Sequence, residues 1–220
     1  MTRIKVIVIF LLAFSQVFAQ EIKPAFWNDI QSFKKQDSIS FPAANQILFI
    51  GSSSFTKWTD VQNYFPSYPI INRGFGGSSL TDIIYYANNI IFPYQPKQIV
   101  IYCGENDLAA SDSISSQTVY KRFKQLFELI RKNDTSASLA YISIKPSPAR
   151  QQLMKKMYVA NILIRNYLRT KKNTAFIDVY KQMLNADGTP MEDIFIEDKL
   201  HMNAKGYAIW QKIIEPYLLK

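Results

Sequence analysis

Gln46-Ile47-Leu48-Phe49-Ile50-Gly51-Ser52-Ser53-Ser54-Phe55 is the stretch on which the reading of this chain turns. An uninterrupted apolar run, Ile47 to Ile50, ends in a glycine and three serines. A short continuous apolar run bounded by turn residues fits a strand buried on both faces. The serines would then stand at the carboxyl end of that strand, where open α/β sheets bind their ligands.

Outward from this stretch, strand and helix signals alternate. Runs rich in Ile, Val, Leu, Tyr or Phe predict strands at 46–50, 69–72, 98–103, 138–144 and 174–178. Helical spacing is seen over 79–91, 115–132, 150–171 and 203–219, the last with apolar residues at 207, 209, 210, 213 and 214. An earlier segment with Phe26, Trp27, Ile30 and Phe33 reads as a helix lying on the domain, closed off by Pro42. Strands separated by helical segments predict the α/β class, a parallel sheet with helices on both faces. No repeat, low-complexity tract or Gly/Ser linker interrupts the pattern, so residues 20–220 are expected to form one domain.

Residues 1–19 are expected to be a signal peptide. Arg3 and Lys5 supply a basic start, Val6 to Phe14 is unbroken apolar sequence, and Val17-Phe18-Ala19 offers a cut. That run falls well short of the roughly 20 residues that span a bilayer. The expected address is therefore periplasmic or secreted, with no stable membrane insertion after cleavage. Cys103 is the single cysteine, which excludes an internal disulfide and any multi-cysteine metal site. Its place at an apolar strand end reads as a core thiol. The formal net charge of +9 comes from residues spread over helical stretches, such as Lys121, Arg122, Lys124, Lys155, Lys156 and Arg165. No basic run is interleaved with aromatics, so solvated helix faces are expected rather than a nucleic-acid partner.

Chemistry is concentrated in a few places. A serine is a weak nucleophile until a base takes its proton, and that base must itself be oriented by a third group. His201 is the only imidazole in the chain, and Asp198 precedes it by one helical turn. Asp198 could equally cap a helix. Gly76 and Gly77 follow the strand at 69–72, and Asn106 follows the strand ending at Cys103. A developing oxyanion needs preorganised donors, which a backbone N–H beside glycine or a side-chain amide can supply. Gly74 and Gly104 read as turn glycines, and Glu105 and Asp107 as residues that hold their loop.

These blocks, in this order, resemble the SGNH-hydrolase superfamily, the GDSL-type esterases and lipases. Gly51-Ser52-Ser53 resembles the first block and Gly77 the glycine of the second. Gly104-Glu105-Asn106-Asp107 matches the Gly-x-Asn-Asp pattern of the third, and Asp198-Lys199-Leu200-His201 the Asp-x-x-His of the fourth. The resemblance spans residues 49 to 207. It implies a three-layer α/β/α sandwich with a five-stranded parallel sheet of flavodoxin-like type. It also implies Ser53, His201 and Asp198 as catalytic residues, and an oxyanion hole from the Ser53 and Gly77 N–H groups and the Asn106 amide. No cofactor or metal is implied. One departure is plain: the usual Asp before the nucleophile is Ser52 here.

The function expected on this basis is a serine esterase acting on a small-molecule or glycan ester, with short acyl groups such as O-acetyl favoured by the lack of a long apolar lid. A lysophospholipase or thioesterase, or a non-catalytic glycan-binding module on the same fold, are the alternatives. Selectivity is expected from the segments at 55–58, where Trp58 could stack on a sugar or simply pack, and at 144–152. The sequence leaves the oligomeric state open.

Overall fold

The computed structural model describes residues 23–220. The signal peptide expected at 1–19 lies outside the described residues. In chain order the elements are α1 (Trp27–Ile39), β1 (Ile47–Gly51), α2 (Ser53–Thr56), α3 (Val61–Tyr64), β2 (Ile70–Gly74), α4 (Leu80–Tyr85) and α5 (Ala87–Ile90). They continue with β3 (Gln98–Tyr102), α6 (Glu105–Ala109), α7 (Ser116–Asn133), β4 (Ser138–Ile142), α8 (Met154–Leu168), β5 (Thr174–Ile177) and α9 (Ala204–Ile214).

The strands form one all-parallel, five-stranded sheet in the order β2-β1-β3-β4-β5. Every residue of β1 and of β3 is buried, because both strands are covered on both faces. Successive side chains of a strand point to opposite faces. Leu48, Ile50, Ile99, Ile101, Leu139 and Tyr141 therefore join one core, with Ile83 of α4, Ile90 of α5, Phe123 and Ile130 of α7, and Met157 and Ile164 of α8. Ile47, Phe49, Val100, Tyr102, Ala140 and Ile142 join the other, with Phe55, Trp58, Val61 and, from α9, Tyr207 and Trp210. Helices on both faces make the predicted three-layer sandwich. The chain steps from β1 to β2 in one direction and then to β3 on the other side of β1. That reversal opens a crevice beyond the carboxyl ends of β1 and β3.

Helix ends follow local chemistry. Ser115 caps α7 by accepting from the Thr118 N–H, and Asn203 caps α9 by accepting from the Lys205 and Gly206 N–H groups. Two predicted helices differ from expectation. The 79–91 helix is broken at Tyr86 (φ −95°, ψ 9°) into α4 and α5. The 150–171 helix begins as a 3-10 segment, Pro148–Leu153, with Arg150 out of helical geometry (φ −127°, ψ 30°), and becomes α-helical at Met154. Pro146 and Pro148 explain the late start, since proline has no N–H and biases the residue before it away from the α region.

The amino-terminal helix α1 is fastened to the edge strand by charge as well as by packing. Arg73 of β2 pairs with Asp37 of α1, its Nε donates to the Tyr94 hydroxyl at 2.7 Å, and that hydroxyl donates to Asp37 at 2.6 Å. The guanidinium also lies over the Phe33 and Tyr94 rings, at 5.2 and 4.9 Å. Burial, with Asp37 adding, pushes the Tyr94 phenol up to about 12. Removing one member of a buried ion pair leaves the other uncompensated. Asp37→Ala is therefore expected to destabilise the fold by about 3 kcal/mol, read as a lower urea midpoint; an unchanged midpoint would show that the clamp contributes nothing.

Candidate active site

The loops after β1, β2 and β3 and the loop before α9 meet at the crevice. β1 has to end in glycine. Gly51 sits at φ 155°, and a Cβ there would lie 2.0 Å from the Tyr102 carbonyl oxygen. The chain then turns out of the sheet, with the Ser52 N–H donating to that same carbonyl at 3.1 Å, and α2 starts at Ser53. The three serines part company at this turn. Ser52 and Ser54 are buried, whereas Ser53 is partly exposed, with its Oγ 2.9 Å from His201 Nε2.

His201 Nδ1 lies 2.5 Å from Asp198 Oδ2. Asp198 Oδ1 accepts from the backbone N–H groups of Leu200 and His201, at 2.9 Å each. Burial by itself would raise the Asp198 carboxyl. The bond from the His201 ring, the two backbone donors and the imidazolium charge outweigh it and bring the group down to about 2. Since Asn203 caps α9, Asp198 is free of that structural duty and holds the imidazole instead.

Groups able to donate stand on the adjoining loops. Gly77 adopts φ 84°, a conformation that side chains disfavour. Among the described residues, the N–H groups of Ser53 and Gly77 donate to no protein acceptor. Asn106 Nδ2 donates one hydrogen to the Ser78 carbonyl at 3.0 Å, and an amide carries a second. The loops are tied to one another. The Phe75 N–H and the Ser78 hydroxyl both donate to the Gly51 carbonyl, at 2.9 and 3.2 Å. Asp107 accepts from the Leu80 N–H at 2.9 Å and from Arg122 at 2.7 Å. Tyr207 of α9 donates to the Ser54 carbonyl at 2.9 Å. All the residues expected from the sequence, Ser53, Gly77, Asn106, Asp198 and His201, thus come together at one end of the sheet.

With this geometry in view, the model of the GDSL-like lipase/acylhydrolase family matches residues 37–209. The chain belongs to that family. Among solved structures, a GDSL-like lipase from Bacteroides thetaiotaomicron is similar at 18% identity with a TM-score of 0.73, over 86% of this chain and 96% of that one. A variant of an acetyl xylan esterase from Geobacillus stearothermophilus is similar at 12% identity with a TM-score of 0.62, over 79% of this chain and 94% of that one. At such identities the likeness is one of fold. No curated protein sequence matches this chain.

For a GDSL-like acylhydrolase, several supporting residues had no sequence signal of their own. Lys145, just after β4, is buried; its ammonium donates to Glu105 Oε2 at 3.2 Å and to the Leu200 carbonyl at 2.8 Å. Glu105 Oε2 also accepts from the Tyr102 hydroxyl at 2.7 Å. Burial lowers the lysine and Glu105 pushes back. This strut joins the Asn106 loop to the His201 loop. Arg150, expected both in the 144–152 segment and at the start of the 150–171 helix, lies in the 3-10 segment, and its guanidinium reaches Asn106 Oδ1. Phe26, at the start of α1, comes within 3.7 Å of where a Gly77 Cβ would stand and meets Phe75 edge-on at 5.2 Å. Of the two readings of Trp58, the packed one holds: it is fully buried and stacked on Tyr207 at 4.7 Å. Cys103 is buried as expected, and burial pushes its thiol well up. Ser52 stands at the amino end of α2 without a side-chain cap bond, so the turn is held by its backbone N–H and carbonyl.

The lowered Asp198 carboxyl has a consequence for stability. A carboxyl whose folded value lies below its ordinary 3.8 contributes stability that is complete above the unfolded value and is lost as pH falls through the folded one. The stability difference between the wild type and Asp198→Asn is therefore expected to shrink between about pH 4 and about pH 2. The side chain is 43% exposed, so the difference is small. Urea midpoints across that range are the check, and a gap that stays constant to pH 2 would contradict the assignment.

Proposed function

We propose that this chain is an exported serine esterase that removes short acyl groups, O-acetyl groups on a carbohydrate above all. The observation that carries the proposal is the line Ser53 Oγ–His201 Nε2–Asp198, at 2.9 and 2.5 Å, beside the N–H groups of Ser53 and Gly77, which donate to no acceptor among the described residues. His201 takes the serine proton while Asp198 holds the ring and stabilises the imidazolium that forms. Ser53 Oγ attacks the ester carbonyl, and the charge arriving on its oxygen meets the Ser53 and Gly77 N–H groups and the second Asn106 hydrogen. His201 then protonates the departing alcohol, and water enters by the reverse route to release the acid and restore Ser53. The short-acyl preference is supported by the lack of a long apolar lid segment in the sequence and by the shared fold with an acetyl xylan esterase. Export is supported by the basic and then apolar pattern of residues 1–19.

The test is hydrolysis of p-nitrophenyl acetate against p-nitrophenyl octanoate by the mature protein and two variants. Acetate is expected to be the better substrate. Ser53→Ala is expected to lower kcat by at least about 10⁴-fold. Asn106→Ala, which removes one oxyanion donor, is expected to lower it by about 10²–10³-fold. Octanoate preference would move the substrate class to lipids, and turnover that survives Ser53→Ala would overturn the nucleophile.

A further inference from the structure

We infer that Arg150 is a positioning residue for the oxyanion hole: it sets which way the Asn106 amide faces and holds it there. The inference rests on the esterase reading of the site. Both terminal nitrogens of the guanidinium stand 3.0 Å from Asn106 Oδ1, and Nη1 also lies 3.5 Å from Glu105 Oε1. A guanidinium has donors and no acceptor, so it is satisfied only by the carbonyl end of the amide. With that end fixed, Nδ2 turns toward the Ser78 carbonyl, where one hydrogen is used at 3.0 Å. The remaining hydrogen is left for the oxyanion. A flipped amide would set Nδ2 against the cation and Oδ1 against the Ser78 carbonyl, so both contacts would be repulsive.

The backbone is arranged to bring this side chain in. Arg150 departs from helical geometry inside the 3-10 segment Pro148–Leu153. The Ala149 N–H donates to the Lys199 carbonyl at 3.1 Å, which ties the segment to the loop that carries Asp198 and His201. The Arg150 side chain is 18% exposed, so its bonds to the amide are partly withdrawn from water, where charge-assisted bonds are strongest. Glu105 is shared between Lys145 and Arg150. The buried strut behind the site therefore also anchors the guanidinium.

The test is a double-mutant cycle between Arg150 and Asn106 on p-nitrophenyl acetate, with Arg150→Met, Arg150→Lys, Asn106→Ala and Arg150→Met/Asn106→Ala, each checked for a cooperative melt. Arg150→Met is expected to lower kcat by about 10–100-fold, the worth of hydrogen bonds from a charged group, with KM little changed. Arg150→Lys keeps the charge but loses the fork, and is expected to recover only part of the rate. In the Asn106→Ala background, Arg150→Met is expected to cost less than about twofold, because non-additivity reports a shared function. Added guanidinium at concentrations below those that denature is expected to restore part of the rate to Arg150→Ala, but none to Arg150→Ala/Asn106→Ala. Full multiplication of the two losses, or a wild-type kcat in a folded Arg150→Met, would overturn the inference. Failure of the esterase reading is distinguishable, since the wild type itself would then show no turnover that depends on Ser53.

Discussion

The close approach of Gly51 to the Tyr102 carbonyl is the constraint from which the site follows. β1 runs between β2 and β3, so a chain leaving it must pass over a neighbouring strand. Any side chain at position 51 would occupy the place of the Tyr102 oxygen. Glycine allows the turn, the Ser52 N–H satisfies that carbonyl, and Ser53 is left at the lip of the crevice. The same Gly51 supplies the carbonyl that receives Phe75 and Ser78, which brings the Gly77 loop alongside. One turn thus orders the first two loops together.

The other two loops are joined by charge in the interior. A buried lysine is costly unless its donors are used. Lys145 uses them on Glu105 and on the Leu200 carbonyl, next in sequence to His201. Asp107, also buried, accepts from Leu80 and Arg122 and so holds the third loop to the helix that follows the second. The His201 and Asn106 loops are thereby held relative to each other by groups that cannot move without leaving a buried charge unpaired.

Much of this was legible in the sequence because it depends on local rules. The unbroken apolar run of Ile47 to Ile50 follows from a strand covered on both faces, and the glycine that ends it follows from the turn. Ser53, Gly77, Asn106, Asp198 and His201 each sit in a short block whose order the fold preserves. What could not be read depends on contacts between distant segments. Arg150 and Lys145 stand in ordinary-looking sequence, and only the closing of the β4 loop over the β3 loop gives them partners. The helix reading at 150 overlooked the two prolines that delay α8. Trp58 could not be sorted between stacking and packing until Tyr207, from the other end of the chain, was placed against it. At Ser52, where the first block departs from the family pattern, the turn is held by backbone groups.

The most direct test of the account is to react the folded protein with a fluorophosphonate ester and map the adduct by peptide mass spectrometry. Such a reagent is attacked by an activated serine and stays bound. The account predicts one adduct, on Ser53, formed in the wild type and lost in His201→Ala. An adduct on Ser52 or Ser54, or none on a folded protein, would contradict it.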